Sequence, residues 1–302
     1  RLRDEFNKQT DIDPVAESWE LSCHHDGQSI ISNGEFSGKT LAQYIETVGK
    51  QVIGTKAPKD KDFPILIKFI DAKQSLSVQV HPDDKYALLH EGESGKTEMW
   101  YVMDATPDAT LIYGFTHEIS HQEFERRIKD NTLLEVCNQV PIKKGDVFFI
   151  EAGTLHAIGA GALIAEIQQS SNSTYRVYDY GRVGKDGKLR ELHIEKALAV
   201  TKLEPPTRKP EPIAKLTAFA DYDLTILAQC ELFNVSHFDL HGNCSLNAKK
   251  DSFHSILVLD GQIALTYGND SFTITKGESV FIPADMGEYI LNGTGEFILT
   301  AL

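Results

Sequence analysis

The sequence predicts a mainly β protein in which one β-sandwich or β-barrel unit occurs twice, the first copy carrying helical insertions. Three observations lead to this reading. Most apolar segments are short, rich in Val, Ile, Phe and Tyr, and bounded by Gly, Asn or Asp (64–69, 75–80, 99–102, 147–150, 163–167, 255–259, 271–274, 279–282 and 297–299). That is the pattern of strands joined by turns. Next, Lys144-Gly145-Asp146-Val147-Phe148-Phe149-Ile150-Glu151-Ala152-Gly153 reappears as Lys276-Gly277-Glu278-Ser279-Val280-Phe281-Ile282-Pro283-Ala284-Asp285, at an offset of 132 residues. Upstream, Met99-Trp100-Tyr101-Val102-Met103-Asp104-Ala105 resembles Ser255-Ile256-Leu257-Val258-Leu259-Asp260-Gly261, at an offset of 156. The offsets differ by 24 residues, and a helix-patterned stretch of the first copy falls in that interval, so one β unit occurs twice. Finally, 302 residues with 41% hydrophobic and 25% charged side chains allow one large or two ordinary globular domains.

The helical stretches come in order. Over 40–52, Leu41, Tyr44, Ile45 and Val48 keep helical spacing behind a Thr40 cap. Residues 82–91 read as a short helix entered through Pro82, Asp83 and Asp84. Over 120–136, Ser120 and Glu123 suit a capping box, and Phe124, Ile128 and Leu133 form a stripe. A fourth helix is expected at 193–202. The proline- and charge-rich stretch 203–212 reads as a linker, which puts a boundary near 210. The expected domains are 1–210, with helical insertions at about 82–91 and 118–136, and 211–302, a second barrel.

The charge balance excludes some functions. With 30 basic and 44 acidic residues the net charge is −14, which argues against binding nucleic acid or anionic membranes. No apolar run approaches the roughly 20 residues that span a bilayer, and no signal-peptide core is visible. Cysteines stand at 23, 137, 230 and 244 without CxxC spacing, which suits reduced thiols in the cytoplasm.

Strand parity gathers polar residues. Ser77, Gln79 and His81 alternate with Leu76, Val78 and Val80, so the polar set faces one way and the apolar set the other. Lys96, Glu98, Trp100 and Val102 alternate likewise, His156 follows the Glu151-Ala152-Gly153 loop, and Glu166 and Gln168 share a face. Gln79, His81, Glu98 and His156 together make a divalent-metal site that suits Zn²⁺ with an open position. Two His and a carboxylate also match the non-haem Fe(II) triad, so the donors alone do not choose the metal.

The signature Lys-Gly-Asp/Glu-x-x-Phe-Ile-x-Ala of both copies is similar to that of cupins, which implies two cupin-like jelly-roll barrels with a ligand site in the mouth of the first. Further motifs narrow the likeness: Ser77-Val78-Gln79-Val80-His81-Pro82-Asp83-Asp84, Gly95-Lys96-Thr97-Glu98-Met99-Trp100, Gly153-Thr154-Leu155-His156-Ala157, Glu166-Ile167-Gln168-Gln169 and Thr174-Tyr175-Arg176-Val177-Tyr178-Asp179-Tyr180. In this order they resemble type I mannose-6-phosphate isomerases, most closely the short bacterial branch. Glu17-Ser18-Trp19 and Arg190-Glu191-Leu192-His193 fit the same family.

The resemblance implies interconversion of mannose 6-phosphate and fructose 6-phosphate at one Zn²⁺ per chain. It implies Gln79, His81, Glu98 and His156 as ligands and Arg176 as the catalytic arginine. Family members commonly have Asp four residues before that arginine, where this chain has Asn172. They usually also have an earlier strand with a Trp-Gly-Gly motif. This chain begins at Arg1, so residues are expected to precede it.

Such an isomerisation moves a proton between C1 and C2 through an enediol or enediolate. Lys96, on the face of Glu98, is the first candidate for the base and Glu166 the second. Arg176 can stabilise the developing oxyanion; its bland reading is an ion pair with Asp179. For the phosphate, Ser77, Lys96, Arg176 and Arg182 are the candidates, while Lys185, Lys188 and Arg190 serve equally as solvated charges. The expected partner is a small sugar phosphate, with the chain a monomer or a homodimer. Two other classes use similar donors: an Fe(II) oxygenase, and a sugar-binding cupin without turnover. In the second copy the offsets set Glu288 opposite His156, His254 opposite Glu98 and His237 opposite His81, but Val235 opposite Gln79. That domain is expected to be structural and metal-free.

Overall fold

The two copies of the repeat form the same piece of sheet. In the computed structural model, which describes residues 1–59, 63–184 and 187–302, strand Glu98–Ala105 pairs antiparallel with Val147–Ile150, from Glu98↔Ile150 to Tyr101↔Val147. In the second copy His254–Tyr267 pairs with Ser279–Ile282, from His254↔Ile282 to Leu257↔Ser279. The two registers coincide once the sequence offsets are applied, so Glu98 and His254 occupy equivalent places. Each returning strand is entered through a left-handed glycine, Gly145 at φ +93° and Gly277 at φ +88°, a conformation a Cβ would strain.

The chain divides into two compact units, 70–210 and 1–69 with 211–302. In the first, strands Ala162–Gln169, Glu98–Ala105 and Val147–Ile150 lie side by side in one sheet. The other sheet runs Tyr175–Tyr178, Val78–Val80, His156–Ile158, Thr110–Phe115, Cys137–Pro141. Its side chains alternate between two cores. Leu111, Tyr113 and Ile158 point inward to Trp100, Val102, Phe148 and Ile164 of the facing sheet. Val78, Val80, Ile112, Ala157, Tyr175 and Val177 point outward, as does Phe115 beyond a register shift after Ile112, against Phe124, Ile128, Leu133 and Ala197. The inserted helices therefore cover the outer face of this sheet, and its inner face is left to carry polar groups.

The helices depart from the sequence pattern at their ends. His121–Lys129 is capped by Ser120, whose hydroxyl accepts from Glu123 N–H at 3.1 Å. The Glu123 carboxylate turns to Arg127 instead, accepting from its Nε at 2.8 Å, so the reciprocal half of the capping box is absent. The helix stops well before 136: Asn131 is left-handed (φ 60°), and a separate 3-10 turn, Leu133–Glu135, carries Leu133 into the core. The helix expected at 40–52 is Leu41–Val48, with Thr40 and Gln43 forming a full capping box, followed by the 3-10 turn Lys50–Ile53. Those expected at 82–91 and 193–202 are Asp84–His90, capped by Asp83, and Ile194–Val200. Of 75–80, only Val78–Val80 is strand.

The second unit holds an antiparallel sheet ordered Thr217–Ala218, Tyr222–Gln229, Asn234–Leu240, Gly287–Ala301, His254–Tyr267, Asp270–Thr275. Asn243–Ala248 and Ser279–Ile282 pair onto the two long strands. The long strands change partners along their length: Gly287–Asn292 pairs with Asn243–Ala248, and Gly295–Ala301 pairs with Asn234–Leu240. Their ladder shifts register between Val258 and Asp260, just before Gly261 faces Gly295; a Cβ on Gly261 would lie 2.3 Å from the Thr294 carbonyl oxygen. Phe238 and Phe297, stacked at 4.7 Å, pack with Ile256, Ile263 and Tyr289 in this unit's core.

Phe124 is fully buried and meets Phe115 edge-on at 5.7 Å. Replacing it with Ala should lower the unfolding free energy by about 3–5 kcal/mol, read as a reduced denaturant midpoint at unchanged slope.

Candidate metal centre

The inner face of the second-named sheet of unit 70–210 sets three polar side chains in a row. Arg176 is the cross-strand partner of Gln79, and Gln79 that of His156. Directly opposed residues share a face with Cβ atoms about 4.5–5.5 Å apart. From the facing sheet, Glu98 lies opposite Gln168, and Trp100 opposite Glu166. His81 follows the Val78–Val80 strand and is fully buried, as are Glu98 and His156. The sequence-predicted donors thus converge from two sheets.

Each ring is oriented by a backbone carbonyl. His81 Nδ1 lies 2.9 Å from Ser173 O, and His156 Nδ1 lies 2.8 Å from Thr154 O. A carbonyl only accepts, so both Nδ1 atoms carry the proton and both Nε2 atoms present lone pairs. These two nitrogens face each other at 3.1 Å. His156 Nε2 is 3.3 Å from Glu98 Oε1, and His81 Nε2 is 3.6 Å from Glu98 Oε2. The Gln79 amide nitrogen lies 3.4 Å from His156 Nε2. Among the described residues neither Glu98 oxygen accepts a hydrogen bond, although Lys96 Nζ forms an ion pair with Oε2 at 3.3 Å.

With both rings neutral, two Nε2 lone pairs and a carboxylate turn toward one point, an arrangement that suits a shared cation. The spacing fits one: donors at about 2.0–2.1 Å from a tetrahedral centre stand about 3.3 Å apart. The donor chemistry fits as well, with two neutral imidazoles and a carboxylate whose ligand atoms all lie within 4.8 Å of one another. Burial, the leading cause, and the charge of Lys96 push His156 down to about 4, against its bond to Thr154. It therefore stays neutral and able to ligate at ordinary pH.

The turn that delivers His156 depends on Gly153. Its N–H donates to His81 O at 2.8 Å and its carbonyl accepts from Lys202 N–H at 2.8 Å. It has φ +88°, and a Cβ there would lie 2.8 Å from Val200 O. A side chain would push the loop away from both anchors.

The remaining sequence candidates fall in two groups. Lys96 and Glu166 are buried, and Glu166 accepts from Trp100 Nε1 at 3.1 Å. Ser77 is also buried. Arg176 donates from Nη1 to Glu191 O at 3.0 Å, while its buried Nε has no hydrogen-bond partner among the described residues. Burial, then the nearby Arg190, lower its pKa from the usual arginine value, though arginine remains cationic. Asp179 is not its hydrogen-bonded partner. That carboxylate is held by Arg182 and by Arg190, the latter through two bonds of 2.6 Å. Arg182 also donates to Ser75 O at 2.9 Å, so its guanidinium is already engaged beside the approach to Ser77. Lys188 sits in the exposed 187–192 loop, and Lys185 lies outside the described residues. Asn172 is exposed, with its backbone N–H on Glu93. Sequence reasoning missed the orienting carbonyls of Thr154 and Ser173, because a backbone group carries no residue-type signal. Gln168, which the sequence placed on the face of Glu166 without a role, is fully buried, and its Nε2 donates to Gln169 O and Ser171 O at 2.8 and 2.7 Å.

Fold and site together define a mainly β protein of cupin type, with antiparallel sheets and a buried, metal-type donor cluster between the sheets of one unit. Comparison with known proteins makes the class specific. Residues 2–109 match the model "Phosphomannose isomerase type I, catalytic domain". Residues 223–302 match "Mannose-6-phosphate isomerase, cupin domain". The chain is 39% identical over 289 residues to mannose-6-phosphate isomerase ManA of Bacillus subtilis, covering 95% of this chain and 90% of that protein. It is 36% identical over 300 residues to the mannose-6-phosphate isomerase of Streptococcus mutans, covering 99% and 92%. The crystal structure of a mannose 6-phosphate isomerase from Bacillus subtilis superposes with a TM-score of 0.91 at 34% identity, covering 100% of this chain and 94% of that one. The chain belongs to the type I phosphomannose isomerases, a family of isomerases.

Neutral His156 makes the metal-free protein sensitive to acid. The unfolded chain takes up a proton at the ordinary value of 6.5, whereas the folded site resists until about 4. The stability associated with this site is therefore complete above pH 6.5 and lost as pH falls toward about 4. Denaturant titrations of the metal-free protein across this window should show that loss, and His156→Gln should remove this component.

Proposed function

We propose that the protein is a zinc-dependent mannose-6-phosphate isomerase, interconverting mannose 6-phosphate and fructose 6-phosphate through an enediol or enediolate. The observation that carries the reading is the Glu98 carboxylate, buried without a hydrogen bond among the described residues and set between two imidazole Nε2 atoms, in a chain of this family. His81, Glu98 and His156 would hold the ion, and Gln79, whose amide now turns its nitrogen toward His156, would complete the set through its oxygen once that amide is flipped. Zinc, when bound, supplies Lewis acidity toward the sugar oxygens O1 and O2.

The protein's own groups do the rest. Arg176 offers a permanent cation on the same face as Gln79, where negative charge develops on the enediolate oxygens. Lys96 and Glu166 are the two groups suited to carry the proton between C1 and C2, with Lys96 preferred because it stands beside ligand Glu98. Ser77, Lys96, Arg176 and Arg182 are assigned to the substrate, with Arg182 reaching the phosphate only by sharing its guanidinium with Asp179. The reaction is assigned to the segment 1–210. We place the protein in the cytoplasm, in keeping with its four free cysteines; among the described residues no helix is long and apolar enough to cross a membrane.

An assay coupling fructose 6-phosphate formation to NADPH production should show activity that a chelator abolishes and zinc restores. His156→Ala should lose bound zinc and activity together with its circular dichroism unchanged. Metal-loaded protein that leaves mannose 6-phosphate untouched, or a variant that keeps its zinc, would reject the reading. Lys96→Gln should lower kcat by about 10²–10⁴-fold at normal zinc content, with a smaller effect from Glu166→Gln. The opposite ranking assigns the base to Glu166.

A further inference from the structure

We infer that Glu93 is a positioning residue for the metal centre, acting through the Ser171–Ser173 turn to hold His81 in its ligating tautomer. The inference rests on the metal reading above and concerns a residue outside the donor set. Glu93 lies in the loop between helix Asp84–His90 and strand Glu98–Ala105. One of its oxygens, Oε2, accepts from Ser171 Oγ at 3.3 Å, Asn172 N–H at 3.2 Å and Ser173 Oγ at 3.2 Å. A single carboxylate oxygen thus gathers three consecutive residues. The next group along is the Ser173 carbonyl, which accepts from His81 Nδ1 at 2.9 Å.

The turn is held from its other side too. Ser171 O accepts from Gln168 Nε2 at 2.7 Å. Gln169 donates from Nε2 to Asp84 at 3.1 Å and accepts from Thr97 N–H at 2.9 Å. Asp84 in turn accepts from Gly95 N–H at 2.7 Å, two residues after Glu93. The loop that carries Glu93 and the turn it holds are therefore fixed to each other at both ends. Three residues after Ser173, the chain reaches Arg176 opposite Gln79.

The chemistry of the link is specific. An imidazole ligates through Nε2 only when the proton sits on Nδ1, and the acceptor on Nδ1 fixes both that choice and the ring plane. Here the acceptor is a backbone carbonyl in a turn, whose direction depends on what holds the turn. Without Glu93, three donors lose a charged acceptor, the Ser173 carbonyl can rotate, and His81 is released to place its proton on Nε2.

The test is a zinc titration by chelator competition, with nitrogen NMR of His81 in the metal-free protein. Glu93→Ala should weaken zinc binding by about 10- to 100-fold and move His81 toward the Nε2–H tautomer. Glu93→Gln, which keeps an oxygen acceptor on the same skeleton and preserves the fold, should recover part of the affinity. Ser173→Ala, which removes one donor and leaves the carbonyl, should weaken binding less, and its effect should not add to that of Glu93→Ala. Zinc affinity within twofold of wild type in Glu93→Ala, or an unchanged His81 tautomer, overturns the inference. A stabilising residue with no part in orienting His81 would lower the thermal midpoint of the metal-free protein and leave affinity and tautomer alone. Because the readout is zinc binding, a wild-type chain that binds zinc without isomerising mannose 6-phosphate defeats the proposed activity and leaves this inference standing. A wild-type chain that binds no zinc defeats both.

Discussion

The constraint on which the centre depends is a negative charge with nowhere to go. Glu98 is fully buried and accepts no hydrogen bond among the described residues, and an unpaired carboxylate in a protein interior costs several kcal/mol. Lys96 at 3.3 Å offsets part of that cost. The imidazole lone pairs at 3.3 and 3.6 Å add to it, because acceptors repel acceptors. A cation shared by all three would turn this arrangement into a favourable one, and the donors come from facing sheets that are packed on both sides. A local conflict tolerated inside a well-packed framework is what a functional site looks like in energetic terms.

The framework allows this because its two kinds of burial lie on opposite faces of one sheet. Val78, Val80, Tyr175 and Val177 pack outward under the inserted helices. Gln79, His156 and Arg176 are consequently presented inward, in register with each other. The insertion that breaks the sequence repeat is thus more than a decoration on the barrel. By covering the outer face it lets apolar side chains leave the interior to the donors. The second copy keeps the same strand pairing but puts His254 in the place of Glu98. There the His254 imidazole meets the Tyr289 hydroxyl at 2.8 Å, and Phe238, Ile256 and Phe297 fill the sheet's concavity.

A second layer of polar groups sets the first. Thr154 and Ser173 offer carbonyls to the two histidines, Gly153 ties the His156 turn to the backbone of His81, and Trp100 donates to Glu166. The basic residues after Arg176 divide their work: Arg182 and Arg190 close on Asp179, whereas Arg176, opposite Gln79, has no carboxylate within ion-pair distance among the described residues and donates to the Glu191 carbonyl.

Strand parity, the twofold repeat and the donor set were legible in the sequence because each follows from a short-range rule. A two-residue period decides which side chains share a face, a repeated turn-and-strand signature marks the duplicated unit, and residue type limits which atoms can ligate. The helix ends were less legible. The Glu123 side chain chose Arg127 over the capping box, and Asn131 ended its helix early, since competing partners of similar strength lie within a turn of each other. The tertiary structure alone decided which carbonyl orients each histidine, which arginines close on Asp179, and that Glu93 gathers the Ser171–Ser173 turn. Those outcomes join segments up to 92 residues apart, and they depend on backbone direction, which no side-chain pattern along the chain encodes.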